Sequence, residues 1–248
     1  FLHRRKVAEI FGLREGMSQL LATLARFDIK ATFTVPGVMA GMLGDSLREL
    51  ILDGHEVAAH GFKHEDVATL SRDEEKARMD LTTEILTRVL GKQPSGWYSL
   101  PRQNDPFAVG TISPHTMELA IEAGYRYFGN GLSDDIPHYW VANFERRSAI
   151  LTMPYFYHFD DQFFLLFPAK GTGLEHADTL FANWRAEFDA QYKRGRHFNM
   201  TLHPHAIGWC NRIKLLEDFF GHMRSLPDVW NPTAGQCADY WLETYPAA

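Results

Sequence analysis

Gly54-His55-Glu56-Val57-Ala58-Ala59-His60-Gly61-Phe62-Lys63-His64-Glu65 is the stretch from which the rest of the chain reads outward. His55 to Ala59 is a short apolar run of strand length, and Gly61 marks a turn directly after it. Small residues before His60 and a glycine after it let the backbone approach another group closely. His60 and His64 stand four residues apart where the strand ends. That spacing can offer two ring nitrogens to one divalent cation. A surface loop that happens to carry histidines is the plainer alternative, in a chain with 12 of them.

Strands and helices alternate on both sides of this stretch. Met17, Leu20, Leu21 and Leu24 repeat with helical spacing within residues 14–27, and Lys30 to Val35 reads as a strand ended by Pro36-Gly37. Ser46 is placed to cap a helix through Leu47, Leu50 and Ile51, stopped by Gly54. Ser71 and Glu74 form a capping box for a helix with Leu81, Ile85 and Val89 on one side and Gly91 at its end. Gly96 to Leu100 is a strand end followed by a loop over 101–106. Ser113-Pro114 opens a helix that Gly124 closes. Strands are expected at Tyr125 to Phe128, Ala149 to Met153 and Phe198 to Leu202, with loops at Ser133-Asp134-Asp135 and 168–176. Phe181, Trp184 and Phe188 mark one helix, with core packing as their role, and Ile213, Leu216, Phe220 and Met223 another.

This alternation predicts an α/β fold with a mostly parallel sheet wrapped by helices, open or closed into a barrel. In such folds the ligand site lies at the carboxyl ends of the strands. His60 and His64, Trp97 and Tyr98, Asp134 and Asp135, Asp160 and Asp161, and His203 all follow expected strand ends.

Composition narrows the function further. At 248 residues with 45% apolar content the chain can bury one large core. A net charge of −6 with no Lys/Arg cluster argues against nucleic acid. Cys210 and Cys237 give neither a disulfide framework nor a metal-binding pair, which fits a reducing, cytoplasmic setting. No apolar run is long enough to span a membrane and no signal peptide is read.

Several segments together resemble the polysaccharide deacetylase superfamily, the NodB-homology or carbohydrate esterase family four group. They are Lys30-Ala31-Thr32-Phe33-Thr34-Val35-Pro36-Gly37, Gly54-His55-Glu56, His60-Gly61 with His64-Glu65, Ser133-Asp134-Asp135-Ile136-Pro137 and Leu202-His203-Pro204. The branch most similar holds peptidoglycan deacetylase-like proteins, cyclic imide hydrolases and allantoinase-like enzymes. The resemblance implies a distorted (β/α) barrel forming one catalytic domain over 1–248 without its N-terminal first strand. It also implies metal-assisted hydrolysis of a C–N amide bond.

Carried onto this sequence, His60 and His64 become two ligands of a divalent, zinc-like ion. The family's third ligand and its base are aspartates of an Asp-x-Asp motif before Ala31, which nothing in Phe1 to Lys30 matches. His203 matches the histidine that acts as general acid, a role suited to an imidazole titrating near neutral pH. Asp134 and Asp135 are placed to hydrogen-bond that imidazole or to hold substrate. The family's Arg-x-Pro motif is replaced by Gly96-Trp97-Tyr98-Ser99-Leu100-Pro101-Arg102, which resembles the allantoinase branch, although that branch lacks the second histidine. Trp97, Tyr98 and Arg102 are therefore expected to contact substrate. Asp161 is expected in the pocket wall because a carboxylate inside an aromatic run must be paired or exposed.

The implied enzyme is a metal-dependent hydrolase of a small linear or cyclic amide. N-deacetylation of acetylated sugars or peptidoglycan is one alternative, and a non-catalytic carbohydrate- or metabolite-binding relic another. The branch further implies a homo-oligomer.

Overall fold

The computed structural model describes residues 10–63, 65–98, 112–156, 159–165 and 177–247. They fall into two compact units, residues 30–155 with 232–248 and residues 1–29 with 156–231.

The first unit holds a six-stranded sheet: β1 (Thr32–Val35), β2 (Glu56–Ala59), β3 (Gly96–Trp97), β4 (Tyr127–Gly131), β5 (His138–Asn143) and β6 (Ser148–Pro154). The order is β1-β2-β3-β4-β6-β5. All neighbours are parallel except β5, which runs antiparallel to β6 at the sheet edge. Thr32 pairs with Glu56 and Tyr127 with Leu151, so the parallel strands end along one shared carboxyl edge. The α/β class with a mostly parallel sheet is therefore as the sequence predicted.

The crossover helices follow their local signals. Ser71 and Glu74 make the reciprocal capping box of helix Arg72–Leu90, and Gly91 ends it at a φ of 76° that a side chain would resist. Ser46 does not cap its helix. That helix begins two residues earlier, as Gly44–Leu52, leaving Ser46 inside the first turn. Ser113 likewise precedes a later start, with the helix over Thr116–Glu122.

On one face of the sheet, Tyr127, Leu151 and Met153 pack with Cys237 and Ala238 of helix Ala234–Thr244. Two glycines make room for the tyrosine rings there. A Cβ on Gly96 would overlap the Tyr127 ring, and one on Gly129 the Tyr98 ring. Glu56 fastens the same helix to the sheet. Its Oε2 accepts from Thr32 Oγ1 (2.8 Å) and from the Gly235 N–H (2.7 Å), and its Oε1 accepts from the Tyr127 hydroxyl (3.0 Å).

The second unit is built on helices Met17–Arg26, Ala177–Arg194 and Cys210–Ser225. Leu20, Leu24, Phe181, Trp184, Phe188, Leu216, Phe219 and Phe220 are its buried core. The aromatic triplet Phe181, Trp184 and Phe188 thus packs as the sequence predicted. The strand expected at Phe198 to Leu202 forms only as a single parallel bridge, Asp160 to Thr201.

Candidate active site

The short bridge decides where the site's acids stand. The Asp161 N–H donates to the Thr201 carbonyl (3.1 Å) and the Thr201 N–H to the Phe159 carbonyl (3.4 Å), laying residues 159–161 beside 201. Asp160 Oδ1 then accepts the Gln162 N–H (2.9 Å), starting the short helix Asp161–Leu165. Two residues beyond Thr201, His203 is extended (φ −115°, ψ 122°), and Pro204 opens the helical turn Pro204–Ile207.

The result is a carboxylate gripping one histidine twice. The His203 backbone N–H donates to Asp161 Oδ1 (3.1 Å) and Oδ2 (2.9 Å), and its ring Nδ1 lies 2.8 Å from Asp161 Oδ1. Asp160 Oδ1 is 3.5 Å from the same Nδ1. A carboxylate at Nδ1 selects the Nδ1–H tautomer and leaves proton exchange to Nε2. Asp161 is fully buried, whereas the His203 side chain is 29% exposed. Burial pushes the Asp161 carboxyl above its ordinary value, against the bonds and charge of His203, while the nearby Asp160 charge adds to the rise.

Below the turn lies a seat of glycines. Gly12–Gly16 forms one wide helical turn, closed by the Met17 N–H on the Gly12 carbonyl. A Cβ on Gly12 would stand 2.8 Å from His205 Cβ, and one on Gly208 2.5 Å from the Pro204 oxygen. Phe11 stacks on Trp209 at 4.2 Å beside it.

Ligand atoms of Asp160, Asp161 and His203 all lie within 4.8 Å of one another. This group could hold a cation, although several of its ligand atoms already have protein partners. Both Asp161 oxygens accept from His203, Asp160 Oδ1 accepts from Gln162, and Nδ1 carries the proton it gives to Asp161. The arrangement fixes the orientation of the His203 ring.

The other expected residues that can be placed line the carboxyl edge of the sheet. His60 is half-buried just past β2, its N–H on the Val35 carbonyl (3.1 Å), with Gly61 turning at φ 67°. Trp97 is 4% exposed and packs edge-on to Tyr125 at 5.2 Å, so its ring is a core element. The Tyr98 ring lies edge-on to Tyr127 at 6.1 Å, and burial pushes its hydroxyl well above the usual tyrosine range. Asp134 accepts the Asp135 N–H (2.8 Å) in the exposed turn after β4. The carboxylate at His203 Nδ1 is that of Asp161. His64 and Arg102 lie outside the described residues. Arg212, buried beside this turn, carries no signal in the sequence.

One unit carries a mostly parallel α/β sheet, and the other a histidine aligned by a buried carboxylate. Residues 11–128 match the family described as polysaccharide deacetylase. The peptidoglycan deacetylase of Helicobacter pylori (strain ATCC 700392 / 26695) is 22% identical over 263 residues, covering 96% of this chain and 87% of its own. The crystal structure of Puue allantoinase aligns at a TM-score of 0.86 with 25% identity, over 99% of this chain and 78% of its own. A Mycobacterium smegmatis protein assigned to the polysaccharide deacetylases aligns at 0.81 with 27% identity, over 94% and 79%. The family and fold class read from the sequence hold. So does the enzyme class, a hydrolase of carbon–nitrogen bonds other than peptide bonds. Among the described residues, no helix is long and apolar enough to cross a membrane.

Proposed function

We propose that this chain hydrolyses the C–N bond of a small linear or cyclic amide, with His203 protonating the departing nitrogen. The observation that carries this reading is the double grip of Asp161 on His203, which fixes the ring's tautomer and direction together. A general acid of this kind contributes about 10²–10⁴-fold to rate. The burial of Asp161 serves the same end, because a carboxylate removed from water holds an imidazolium more strongly than a solvated one. In this reading His60 and His64 hold the family's divalent, zinc-like ion, which when bound polarises the scissile carbonyl and acidifies a water. The likeness to an allantoinase supports a small amide as substrate.

N-deacetylation of acetylated sugars or peptidoglycan is the second reading, favoured by the family match and by the Helicobacter pylori relative. A homo-oligomer is part of both.

Turnover of allantoin, cyclic imides and N-acetyl oligosaccharides by the wild type and His203→Ala separates these readings, with metal content measured on the same samples. Cleavage confined to the first two substrate classes supports the first reading. Cleavage of only the oligosaccharides replaces it with the second. Full turnover by His203→Ala removes the role given to His203 in either.

A further inference from the structure

We propose that Arg212 is a positioning residue for His203, fixing the turn that carries the imidazole. Arg212 belongs to helix Cys210–Ser225 and is 2% exposed, a costly place for a cation that has no work there. Its Nη1 donates to the Ala206 carbonyl. The Ala206 N–H in turn donates to the His203 carbonyl (2.8 Å), beside that of Ile207 (2.9 Å). Two hydrogen bonds in series therefore tie the guanidinium to the main chain of His203.

The second tie is electrostatic. Burial disfavours the charged guanidinium, and the Asp161 carboxylate opposes that loss. On the Asp161 side, the bonds and charge of His203 are what oppose the burial that would neutralise the carboxylate. The ionised carboxylate has both oxygens free to accept, so it meets the backbone N–H and the ring Nδ1–H at once and more strongly than the neutral acid. Among the described residues, the groups near the imidazole include Asp160 and Asp161 from the 159–165 segment, and His205, whose ring centroid is 5.6 Å away. Arg212 is the cation that acts on Asp161 from the neighbouring helix. An arginine is suited to this duty because it stays charged where a lysine would shed its proton.

The consequence for turnover rests on His203 being the general acid, whereas the geometry does not. Nuclear magnetic resonance of the ¹⁵N-labelled imidazole therefore tests the proposal on the full chain without substrate. In the wild type the His203 Nδ1–H proton is expected as a slowly exchanging, far-downfield signal that Asp161→Asn abolishes. Arg212→Gln is expected to broaden or lose that signal. Arg212→Gly is expected to lose it too, and millimolar guanidinium to restore it. Thermal melting monitors the fold of each variant, and guanidinium rescue decides the case if Arg212→Gln does not fold.

An unchanged Nδ1–H signal in folded Arg212→Gln overturns the proposal, as does failure of guanidinium to restore it in Arg212→Gly. On whichever panel substrate the wild type cleaves, kcat of Arg212→Gln should fall about tenfold or more at little changed KM, within the range that general acids supply. If His203→Ala keeps full turnover while the signal responds to Arg212, the functional reading fails and the positioning claim stands. The opposite pattern sinks this inference alone.

Discussion

Gly16 and Pro204 meet with no room between them. A methyl group on Gly16 would lie 2.8 Å from the Pro204 carbonyl carbon and overlap its oxygen. Pro204 directly follows His203, so this contact sets the height of the imidazole. Gly16→Ala is expected to cost about 1–3 kcal/mol, the usual range for overpacking, and to lower turnover by moving the His203 turn. Gly41→Ala, with nothing within 4 Å of the new carbon, is the silent comparison. Urea denaturation of the two variants checks the contrast.

Asp161→Asn should separate alignment from folding. The amide can donate to Nδ1 and select the wrong tautomer, so turnover is expected to fall by about 10²–10⁴-fold. The pH profile gives a second signature. Because burial raises the Asp161 carboxyl, it loses its charge on acidification earlier than an ordinary aspartate would. The acid limb of turnover should therefore lie above the usual aspartate value of about 4, and should not follow that position in Asp161→Asn. A limb at or below the ordinary value would contradict the assignment.

Glu56→Ala removes the acceptor of three hydrogen bonds, from Thr32, Tyr127 and Gly235. With bonds to a charged group worth about 1.5–3 kcal/mol each and not additive, a total loss of about 3 kcal/mol is expected. The denaturation midpoint should fall while the slope with denaturant stays constant. A loss under about 1 kcal/mol would mean that water replaces these bonds at no cost.

The two cysteines should react very differently. Cys210 is exposed, whereas Cys237 is buried under the sheet and burial pushes its thiol up to about 11. A raised value means scarcer thiolate at neutral pH, and the thiolate is the nucleophile. Iodoacetamide at pH 8 is expected to give a single adduct on native protein, at Cys210, and two after unfolding. Mass spectrometry reads both.

Much of the fold was legible because its signals are local. The Ser71–Glu74 box, the glycine stop at Gly91 and the short runs around Val35 and Ala59 each act over a few residues. β5 was not read: His138–Asn143 is half-covered or exposed at a sheet edge, and its run Tyr139-Trp140-Val141-Ala142 lacks the apolar–polar alternation of a half-buried strand. Phe198 to Leu202 has strand composition but finds only the single partner Asp160, so composition overstated it.

The site was legible in part for a related reason. His203 and Asp161 were both singled out, but their pairing was not, because 42 residues separate them and nothing local encodes the bond. Trp97 was expected at substrate because a tryptophan after a strand looks the same whether its ring faces a pocket or the core. Arg212 was invisible because its role arises only where its helix meets the His203 turn.

The fastening of helix Ala234–Thr244 has a kinetic consequence. The Ala234 and Gly235 N–H groups find their acceptors on Thr32 and Glu56, 202 and 179 residues earlier. Closing loops of that length precedes any reward for closing them, which places this unit among slow, topology-limited folders. During synthesis Tyr127, Leu151 and Met153 emerge well before their cover, leaving a greasy face that invites chaperones until the helix arrives.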